Sequence, residues 1–281
     1  MLDEVVAALA CPHCGRDLRR PDPRRLACAR GHSFDVSRHG YVNLVGGGGT
    51  PVRGDTAEMI AARERVRAAG VLDPLVDVVA TCAVAALEGD PPGVVVDVGA
   101  GTGAYLAACL DRLPARAGIA VDVSKHALRR AARCHRRAGA VGADAWRGLP
   151  LRDDAAALAL SVFAPRGGAE LARVLAPGGA LVLARPTPAH LRELVEPLGL
   201  VGVDAGKEQR LSETLGSAFT EEHASGWEAR LALSRDEVAA LVAMGPSAFH
   251  HEPAAIADAV ADWPEPVAAT AAVRVTTHRR R

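Results

Sequence analysis

Four residues near the start of the chain have the types and spacing of a metal site. Two residues separate Cys11 from Cys14, three separate Cys28 from His32, and thirteen separate the two pairs. Three thiolates and one imidazole complete a tetrahedral shell for Zn²⁺ and leave no open position for a reacting water. The spacing therefore predicts a structural zinc site, with His13 as a bystander between two ligands.

A second group of residues, in the stretch VVVDVGAGTGAYL, has the composition of a ligand-binding turn. Gly99, Gly101 and Gly103 follow a β-branched run and precede a helical one, so bare backbone and helix N–H groups face a ligand. Asp97 precedes these glycines and Asp122 ends the next predicted strand, which suits the ammonium and the ribose of S-adenosylmethionine. A nicotinamide dinucleotide and a purely structural turn are the alternatives, since the glycine spacing also satisfies the dinucleotide pattern.

Three further residues follow later strands of the same pattern. Asp144 lies after the third strand, where an acid either accepts a hydrogen bond from an adenine amino group or is a solvated loop residue. Phe163, in SVFAPRGG, is either a stacking surface for a base or a core residue. His190, in RPTPAHL, either faces the crevice or caps the surface. Asp144 and His190 are the two candidates for a catalytic proton acceptor.

Alternating strand and helix patterns define the fold that must position these residues. Continuous apolar runs such as GVVVDVG, AGIAVDVS and ALVLARPT are each separated by helical segments. This alternation predicts an α/β fold with a parallel sheet covered on both faces. GWEARLALS and AATAAVRVTTHRR, with a helix from Asp236 between them, predict two further edge strands, one of them antiparallel.

Composition divides the chain into three parts. Residues 1–45 lack apolar periodicity and are rich in Cys, His, Arg and Pro, which predicts a small domain that depends on its zinc site to fold. Residues 46–90 are predicted to be the linker GGGGTPVRG and two helices, the first capped by Asp55 or Thr56 and stopped at Gly70. Residues 91–281 are predicted to form the α/β domain.

Charge is balanced in total but unevenly placed. Lys+Arg and Asp+Glu both number 33, yet residues 11–40 hold seven Arg against three Asp, and SKHALRRAARCHRR holds six cationic residues and no acid. Such runs are solvated faces or RNA-binding surfaces. No apolar run reaches the roughly 18 residues that span a bilayer, and the N-terminus lacks the pattern of a signal peptide. We therefore expect a cytoplasmic protein with no membrane partner.

Several motifs taken together resemble the ribosomal RNA large-subunit guanine-N1 methyltransferases. They are CPHC, CARGHSFDVSRHGYVNLV, DTAEMIAAR, VVVDVGAGTG, VDVSKHALRRAAR, SVFAPRGGAELARVLAPGG and PTPAHLRELV. The resemblance covers most of the chain and is strongest to the Gram-positive branch, which includes tylosin-resistance enzymes. It implies an N-terminal zinc domain joined to a class I methyltransferase (Rossmann-like) domain, in a homodimer whose two zinc domains help to form an RNA cleft.

The resemblance also implies roles for individual residues. The zinc ligands are Cys11, Cys14, Cys28 and His32, and the contacts to S-adenosylmethionine are Gly101, Thr102 and His190. A tyrosine contact of the family is replaced here by Leu72, so any contact at that place is apolar.

The implied reaction is methyl transfer from S-adenosylmethionine to N1 of a guanine in a 23S rRNA stem-loop near the peptide exit tunnel. The implied consequence, which an experiment can test, is resistance to macrolides of the tylosin type. A natural-product methyltransferase is one alternative, but it leaves the arginine-rich zinc segment unexplained. A non-enzymatic zinc protein that binds RNA is the other, and the intact acids and glycines of the donor turn argue against it.

Overall fold

A computed structural model describes residues 2–46, 53–87, 89–164, 167–202, 214–251 and 253–281 of the chain. In chain order, the strands are β1 (Leu18–Asp22), β2 (Arg25–Cys28), β3 (Ser33–Asp35), β4 (Tyr41–Asn43), β5 (Val94–Val98), β6 (Gly118–Asp122), β7 (Ala138–Gly142), β8 (Ala156–Val162), β9 (Leu175–Pro186), β10 (Phe219–Leu233) and β11 (Val267–Arg280). The α-helices are α1 (Leu2–Val5), α2 (Ala57–Ala68), α3 (Asp73–Ala85), α4 (Ala104–Arg112), α5 (Lys125–Ala131), α6 (Gly168–Val174), α7 (Arg192–Val195), α8 (Arg235–Ala243) and α9 (Pro253–Ala259).

The large sheet has the strand order β10-β11-β9-β8-β5-β6-β7-β4. Its strands from β4 to β9 pair in parallel, β11 is antiparallel to β9, and β10 is antiparallel to β11. The predicted α/β fold with a class I methyltransferase sheet is confirmed, as are the two additional strands of the tail. Of these, β11 lies inside the sheet because β10 covers its outer side.

Helix starts follow local capping chemistry. Thr56 caps α2 by accepting a hydrogen bond from the Met59 N–H at 3.3 Å, and Gly70, with φ +70°, follows its end. Ser124 caps α5 by accepting from the first turn, and Ser234 caps α8 in a capping box with Glu237.

One of the helical segments predicted between the strands, KHALRRAARCHRRAG, is helical over only part of its length. The helix ends at Ala131, because β7 begins at Ala138 and must pair with β6, where Ala138 lies opposite Gly118. The residues between α5 and β7 therefore form a turn. Arg137 fixes this turn, since its guanidinium donates hydrogen bonds to the carbonyls of Leu110, Leu113, Pro114 and Arg116.

The zinc segment, which is the part of the chain predicted over residues 1–45, shares its apolar core with the large sheet. Leu9, Leu26 and Val42 belong to the same buried cluster as Val96 and Ile119. The segment also supplies β4, which pairs with β7, and α1, which packs on β7. The boundary predicted at residue 45 therefore marks a change of composition, and the apolar core continues across it. The predicted linker falls largely on residues 47–52, which lie outside the described residues.

Two further clusters of buried apolar side chains lie among the described residues. One fills the opposite face of the central sheet and includes Val95, Leu158 and Leu160. The other joins α2, α7, α8 and α9 through residues such as Val66 and Leu241. This second cluster brings the helices after the linker together with the C-terminal region.

The described helices differ from membrane spans in length and composition. None of them is, by itself, both long and apolar enough to cross a membrane. Ala57–Ala68 and Asp73–Ala85 pass on length and composition only when taken together, and they are bent by 88°.

Candidate active site and zinc site

The four predicted zinc ligands lie together in the fold. Their ligand atoms are all within 4.8 Å of one another. The Cys14 and Cys28 sulfurs are 3.7 Å apart, and Nδ1 of His32 is 3.4 Å from the sulfurs of Cys11 and Cys28. Tetrahedral Zn²⁺ with bonds of about 2.3 Å to sulfur and about 2.0 Å to nitrogen requires S–S and S–N edges of about 3.8 and about 3.5 Å. The residues therefore fit a closed Cys₃His zinc site.

Two tight loops present these ligands. In the first, the Gly15 N–H donates to the Cys11 carbonyl at 2.8 Å, and in the second the Gly31 N–H donates to the Cys28 carbonyl at 3.0 Å. Gly15 and Gly31 have φ values of +69° and +84°, which other residues adopt only with strain. Each pair of ligands is thus positioned by its own glycine turn.

His13 lies outside the ligand group, as predicted from the spacing. Its ring stacks on Phe34, with ring centroids 5.7 Å apart and planes 17° apart. The same ring is 5.1 Å from that of His32. His13 therefore packs beside the ligand group, where it lines the outside of the site.

The predicted donor turn joins β5 to α4. Gly99, Gly101 and Gly103 have φ values of +73°, +55° and +82°, and Thr102 is buried between them. Three left-handed residues within five positions need glycine, because a Cβ strains each of them. The turn therefore exposes backbone where a ligand can approach closely.

Asp122 holds this turn in place from the end of β6. Its Oδ2 accepts a hydrogen bond from the Gly101 N–H at 2.8 Å, and its Oδ1 accepts one from the Ser124 N–H at 2.8 Å. Burial raises the pKa of Asp122, while these two N–H groups act to lower it. The carboxylate thus links the two turns that follow β5 and β6.

Asp97 is a buried acid with unused hydrogen-bonding capacity. Its side chain is 1% exposed, and within the described part of the chain its Oδ2 has no hydrogen-bond partner. Burial, together with the negative charge of Asp122, raises the pKa of Asp97 to about 7. A buried carboxylate oxygen without a partner is unfavourable unless a ligand satisfies it. The ammonium group of an amino-acid ligand fits this requirement.

Arg63 is a residue of this site that the sequence patterns did not single out. Its Nη2 donates to Asp55 Oδ2 at 2.7 Å and to the Met244 carbonyl at 3.1 Å. Its Nη1 lies against Gly101, at the place where a Cβ would stand. The positive charge of Arg63 also acts to lower the pKa of Asp122. The only sequence signal was the presence of Arg63 at the end of the motif DTAEMIAAR.

Phe163 and His190 form an aromatic pair where β8 and β9 end. Their ring centroids are 5.7 Å apart, with planes 34° apart. Phe163 is 43% exposed, has a left-handed φ of +53°, and donates its N–H to the Ala184 carbonyl at 3.0 Å. The exposed ring favours the stacking interpretation over a core residue.

Hydrogen bonding assigns the tautomer of His190. Its Nδ1 is 3.2 Å from the backbone nitrogen of Ala272, which can only donate, so Nδ1 is the acceptor. Burial lowers the pKa of His190 and favours the neutral ring. In that state Nε2 carries the proton, and the side chain presents a hydrogen-bond donor to the site.

Asp144 is buried but already hydrogen-bonded. It is 6% exposed, its Oδ1 accepts from the Trp146 N–H at 3.0 Å, and its Oδ2 lies 3.1 Å from Nε of Arg147. Together with Arg147 it lines a cavity of about 580 Å³ between the first zinc loop and the segment after β7. Trp146 is 65% exposed beside it.

Several of the predicted site residues fall into two groups in the structure. Asp97, Asp122 and the glycine turn form one group, and Phe163 with His190 forms another. Leu72, the predicted apolar contact to the donor, is at the start of α3 and packs on the cluster that contains Val66 and Leu241. Its contact with the donor stays a prediction, as do the donor contacts of the other residues.

Comparison with known proteins matches both parts of the chain. Residues 9–46 match the family model of the RlmA N-terminal zinc ribbon, and residues 95–179 match that of a methyltransferase domain. A "Putative 23S rRNA (guanine-N(1)-)-methyltransferase" of Micromonospora griseorubida is 49% identical over 99% of each chain. The "23S rRNA (guanine(748)-N(1))-methyltransferase" of Streptomyces fradiae is 45% identical over 94% of each chain. A "Putative 23S rRNA (guanine-N(1)-)-methyltransferase YxjB" of Bacillus subtilis (strain 168) is 33% identical over 66% of each chain.

Proposed function

We propose, from the premise that this chain belongs to the 23S rRNA (guanine-N1)-methyltransferases, that it transfers a methyl group from S-adenosylmethionine to N1 of a guanine in 23S rRNA. The observation that carries the proposal is the 49% identity over 99% of both chains, a span that includes the zinc ligands and the donor turn. The Oδ2 atom of Asp97, which has no hydrogen-bond partner among the described residues, and the glycine turn support the identity of the donor.

Each part of the donor has a matching group in the site. Asp97 pairs with the ammonium, and Asp122 accepts hydrogen bonds from the ribose hydroxyls while it keeps its bond to Gly101. The backbone of Gly99 to Gly103 lies against the donor, and Asp144 retains an acceptor for the adenine amino group. When bound, the donor supplies an electrophilic methyl group. The chain's residues bind it and fix its direction.

Arg63 is the proposed partner of the donor's carboxylate. It is a cation beside the glycine turn, and its ion pair with Asp55, at 2.7 Å, leaves Nη1 directed at Gly101. A guanidinium binds a carboxylate with paired N–H donors, which suits this end of the ligand. Asp97 and Arg63 thus hold the two charges of the amino-acid group, and together they select a donor that carries both.

The aromatic pair is the proposed site of the target guanine. Phe163 stacks on the base, and the Nε2–H of His190 donates to the guanine O6. This role replaces the contact to S-adenosylmethionine that the resemblance implies for His190. Loss of the N1 proton places negative charge on O6, so a donor at that atom stabilises the transition state. His190 is not arranged to accept the N1 proton, because the Ala272 N–H occupies the lone pair of its Nδ1. Asp144 is assigned instead to the adenine amino group, and the N1 proton passes to solvent water beside the exposed ring of Phe163.

The zinc segment is the proposed RNA-binding part. Arg19 and Arg24 are exposed and form no ion pair among the described residues, whereas Arg20 pairs with Asp3 at 2.5 Å. Arginine contacts to phosphates, together with shape complementarity to folded RNA, position the substrate without recognising its sequence. The resemblance further supports a homodimer in the cytoplasm, with a cleft between two zinc segments, which sedimentation of the purified protein tests.

The position of the methyl group also has a proposed consequence. N1 lies on the Watson–Crick edge, so the target guanine must be unpaired or flipped out when it reacts. A methyl in a stem-loop beside the peptide exit tunnel obstructs a macrolide, which predicts a higher inhibitory concentration of tylosin for cells that express the chain.

Transfer of a labelled methyl group tests the proposal in vitro. The purified protein, S-adenosylmethionine labelled in its methyl group, and transcripts of 23S rRNA fragments should yield labelled RNA whose nucleoside is 1-methylguanosine. The matched control is the same reaction with 16S rRNA. Label that stays out of RNA but enters a small natural product would favour the natural-product methyltransferase instead.

A further inference from the structure

A second cationic surface lies where the zinc segment meets α5. We define the basic face as Arg38 and His39, in the turn before β4, with Arg129 and Arg133, in α5 and just after it. The three arginines are exposed, and His39 is half-buried. Only Arg38 and His39 come from the zinc segment, so the surface is created by the fold rather than by a run of sequence.

Backbone contacts fix this junction. The turn is closed by a hydrogen bond from the Gly40 N–H to the Ser37 carbonyl at 2.8 Å. A Cβ on Gly40 would stand 3.8 Å from the Cβ of Ala132, so the turn packs directly on the end of α5. Pairing of Tyr41 in β4 with Ala140 in β7 holds the turn there. The spacing of the basic face is therefore set by the sheet.

His39 lies close to the positive charges of the three arginines. Burial lowers the pKa of His39, and the positive charges of Arg129, Arg38 and Arg133 lower it further. Nε of Arg38 donates to Nε2 of His39 at 3.3 Å, which is the arrangement of a neutral ring. Like charges this close repel one another unless an anion lies among them.

The arginines of the basic face lack acidic partners. Within the described residues, Arg38, Arg129 and Arg133 form no ion pair, although many arginines elsewhere do. The contrast is sharpest next door, where Arg130 reaches Glu64 at 3.2 Å. Arg130 is thus neutralised by an acid, whereas the three arginines of the basic face have no acidic partner among the described residues. Such a face suits a ligand with several negative charges.

We propose that the basic face binds the phosphate backbone of the RNA substrate. The inference rests on the proposed function and locates a part of its RNA-binding surface. Guanidinium groups bind phosphate oxygens with paired N–H donors. Three such groups around one helix end suit the successive phosphates of RNA better than they suit an acidic patch on a protein. α5 begins beside Asp122 and ends at Ala131, six residues after Lys125, which is roughly 9 Å along the helix axis. Arg133 lies just beyond that end.

This distance has a consequence for the substrate. A guanine held at the donor site and phosphates held at the basic face must belong to the same folded RNA, on either side of the reacting nucleotide. The basic face and the arginines of the zinc loops then contact different parts of the stem-loop. The RNA is thereby oriented by both parts of the chain.

The test replaces Arg38, Arg129 and Arg133 with Ala in the full-length protein. The control variant replaces Arg112, Arg230 and Arg281, which removes the same charge from other exposed positions. The measurements are the Kd for a 23S rRNA stem-loop at several salt concentrations, KM and kcat for its methylation, and the Kd for S-adenosylhomocysteine. Sedimentation measures the mass of each variant.

The basic-face variant should bind RNA at least about tenfold more weakly at low salt. The slope of log K against log salt should become shallower by roughly 2, because about 0.7 to 0.9 is lost for each phosphate contact. KM should rise, with kcat and S-adenosylhomocysteine affinity unchanged, and the control variant should match the wild type.

An unchanged RNA affinity and salt slope would overturn the inference. So would a halved mass with unchanged RNA affinity per subunit, which would assign the face to a second copy of the chain. Failure of the proposed function gives a different result, because the wild type itself would then neither bind nor methylate the stem-loop.

Discussion

Oδ2 of Asp122 accepts a hydrogen bond from the backbone N–H of Gly101 at 2.8 Å. The acid that ends β6 thus holds the glycine turn that follows β5, and we propose that the same carboxylate also binds the ribose of the donor. Because the two turns are coupled in this way, substitutions around them should affect different parts of the donor, and truncated donors can separate the effects.

Replacement of Asp122 with Ala should weaken binding of the adenosine part of the donor. The ribose loses its acceptor and the turn loses its anchor, which we expect to cost roughly 1 to 3 kcal/mol, or about 5-fold to 150-fold in Kd. Calorimetry should show this loss both for S-adenosylhomocysteine and for 5′-methylthioadenosine, since both contain the ribose. Equal affinity of the variant and the wild type for either ligand would place the ribose elsewhere.

Replacement of Arg63 with Ala should instead weaken only donors that carry the amino-acid group. Loss of a charge-assisted pair to the carboxylate predicts a Kd for S-adenosylhomocysteine that is about 10-fold to 100-fold higher. The Kd for 5′-methylthioadenosine, which lacks the carboxylate, should stay the same.

The control is Arg65→Ala on the same helix, and Arg63→Lys should restore part of the affinity. A parallel loss for both ligands would show that Arg63 acts through the packing of α2, by its bonds to Asp55 and Met244.

Donor affinity should depend on pH through Asp97. Its pKa of about 7 means that the carboxyl is largely protonated at pH 6 and ionised at pH 8. Only the ionised form pairs with the ammonium, so affinity for S-adenosylhomocysteine should rise with pH, by about tenfold between pH 6 and pH 8. Asp97→Asn should bind weakly with a flat profile. A wild-type profile that is flat over this range would refute the ammonium contact.

Removal of zinc should destabilise the whole chain. Cys11 and Leu9 belong to the same buried cluster as Val96 and Ile119, so loss of the ligand geometry opens a core that includes the sheet. Cys11→Ser should lower zinc content and also the midpoint of thermal unfolding, in one transition that includes the methyltransferase domain. Cys82→Ser is the control thiol. Two separate transitions, with the later one unshifted, would mean that the zinc segment folds by itself.

The hydrogen-bond donor of His190 should matter for catalysis more than for donor binding. His190→Leu should lower kcat for RNA methylation by about 100-fold, the usual effect of removing one donor to a developing negative charge. His190→Gln retains an N–H and should recover part of the rate. Because we assign His190 no role as proton acceptor, the low-pH limb of the pH profile of kcat, where a general base becomes protonated, should stay at the same pH in His190→Gln. A limb that disappears would identify His190 as the acceptor.

Local features of the site were predictable from sequence because local spacing fixes them. The zinc ligands lie in two short loops, and three glycines within five residues can serve few purposes other than a close turn. Thr56 caps α2 by the same local chemistry. The alternation of apolar strands with helical segments likewise indicated the parallel sheet.

Other features depend on contacts between distant parts of the chain. Arg63 reaches Gly101 only because α2 packs over the donor turn, and the tautomer of His190 is set by Ala272, which is 82 residues away in sequence. The length of α5 was overestimated, since helix propensity does not record where β7 must begin. No sequence pattern indicated that Leu9 and Val96 would share one core.

The identity of the methylated product tests the central proposal most directly. Nucleosides from 23S rRNA of cells with and without the gene should be compared by mass spectrometry, with Asp97→Ala as the inactive control, and reverse transcription should locate the modified base. We predict that 1-methylguanosine rises only with the wild-type gene and that reverse transcriptase stops at a single guanine in a stem-loop. No rise in 1-methylguanosine, or a methyl group found instead on a small metabolite, would contradict the proposed function.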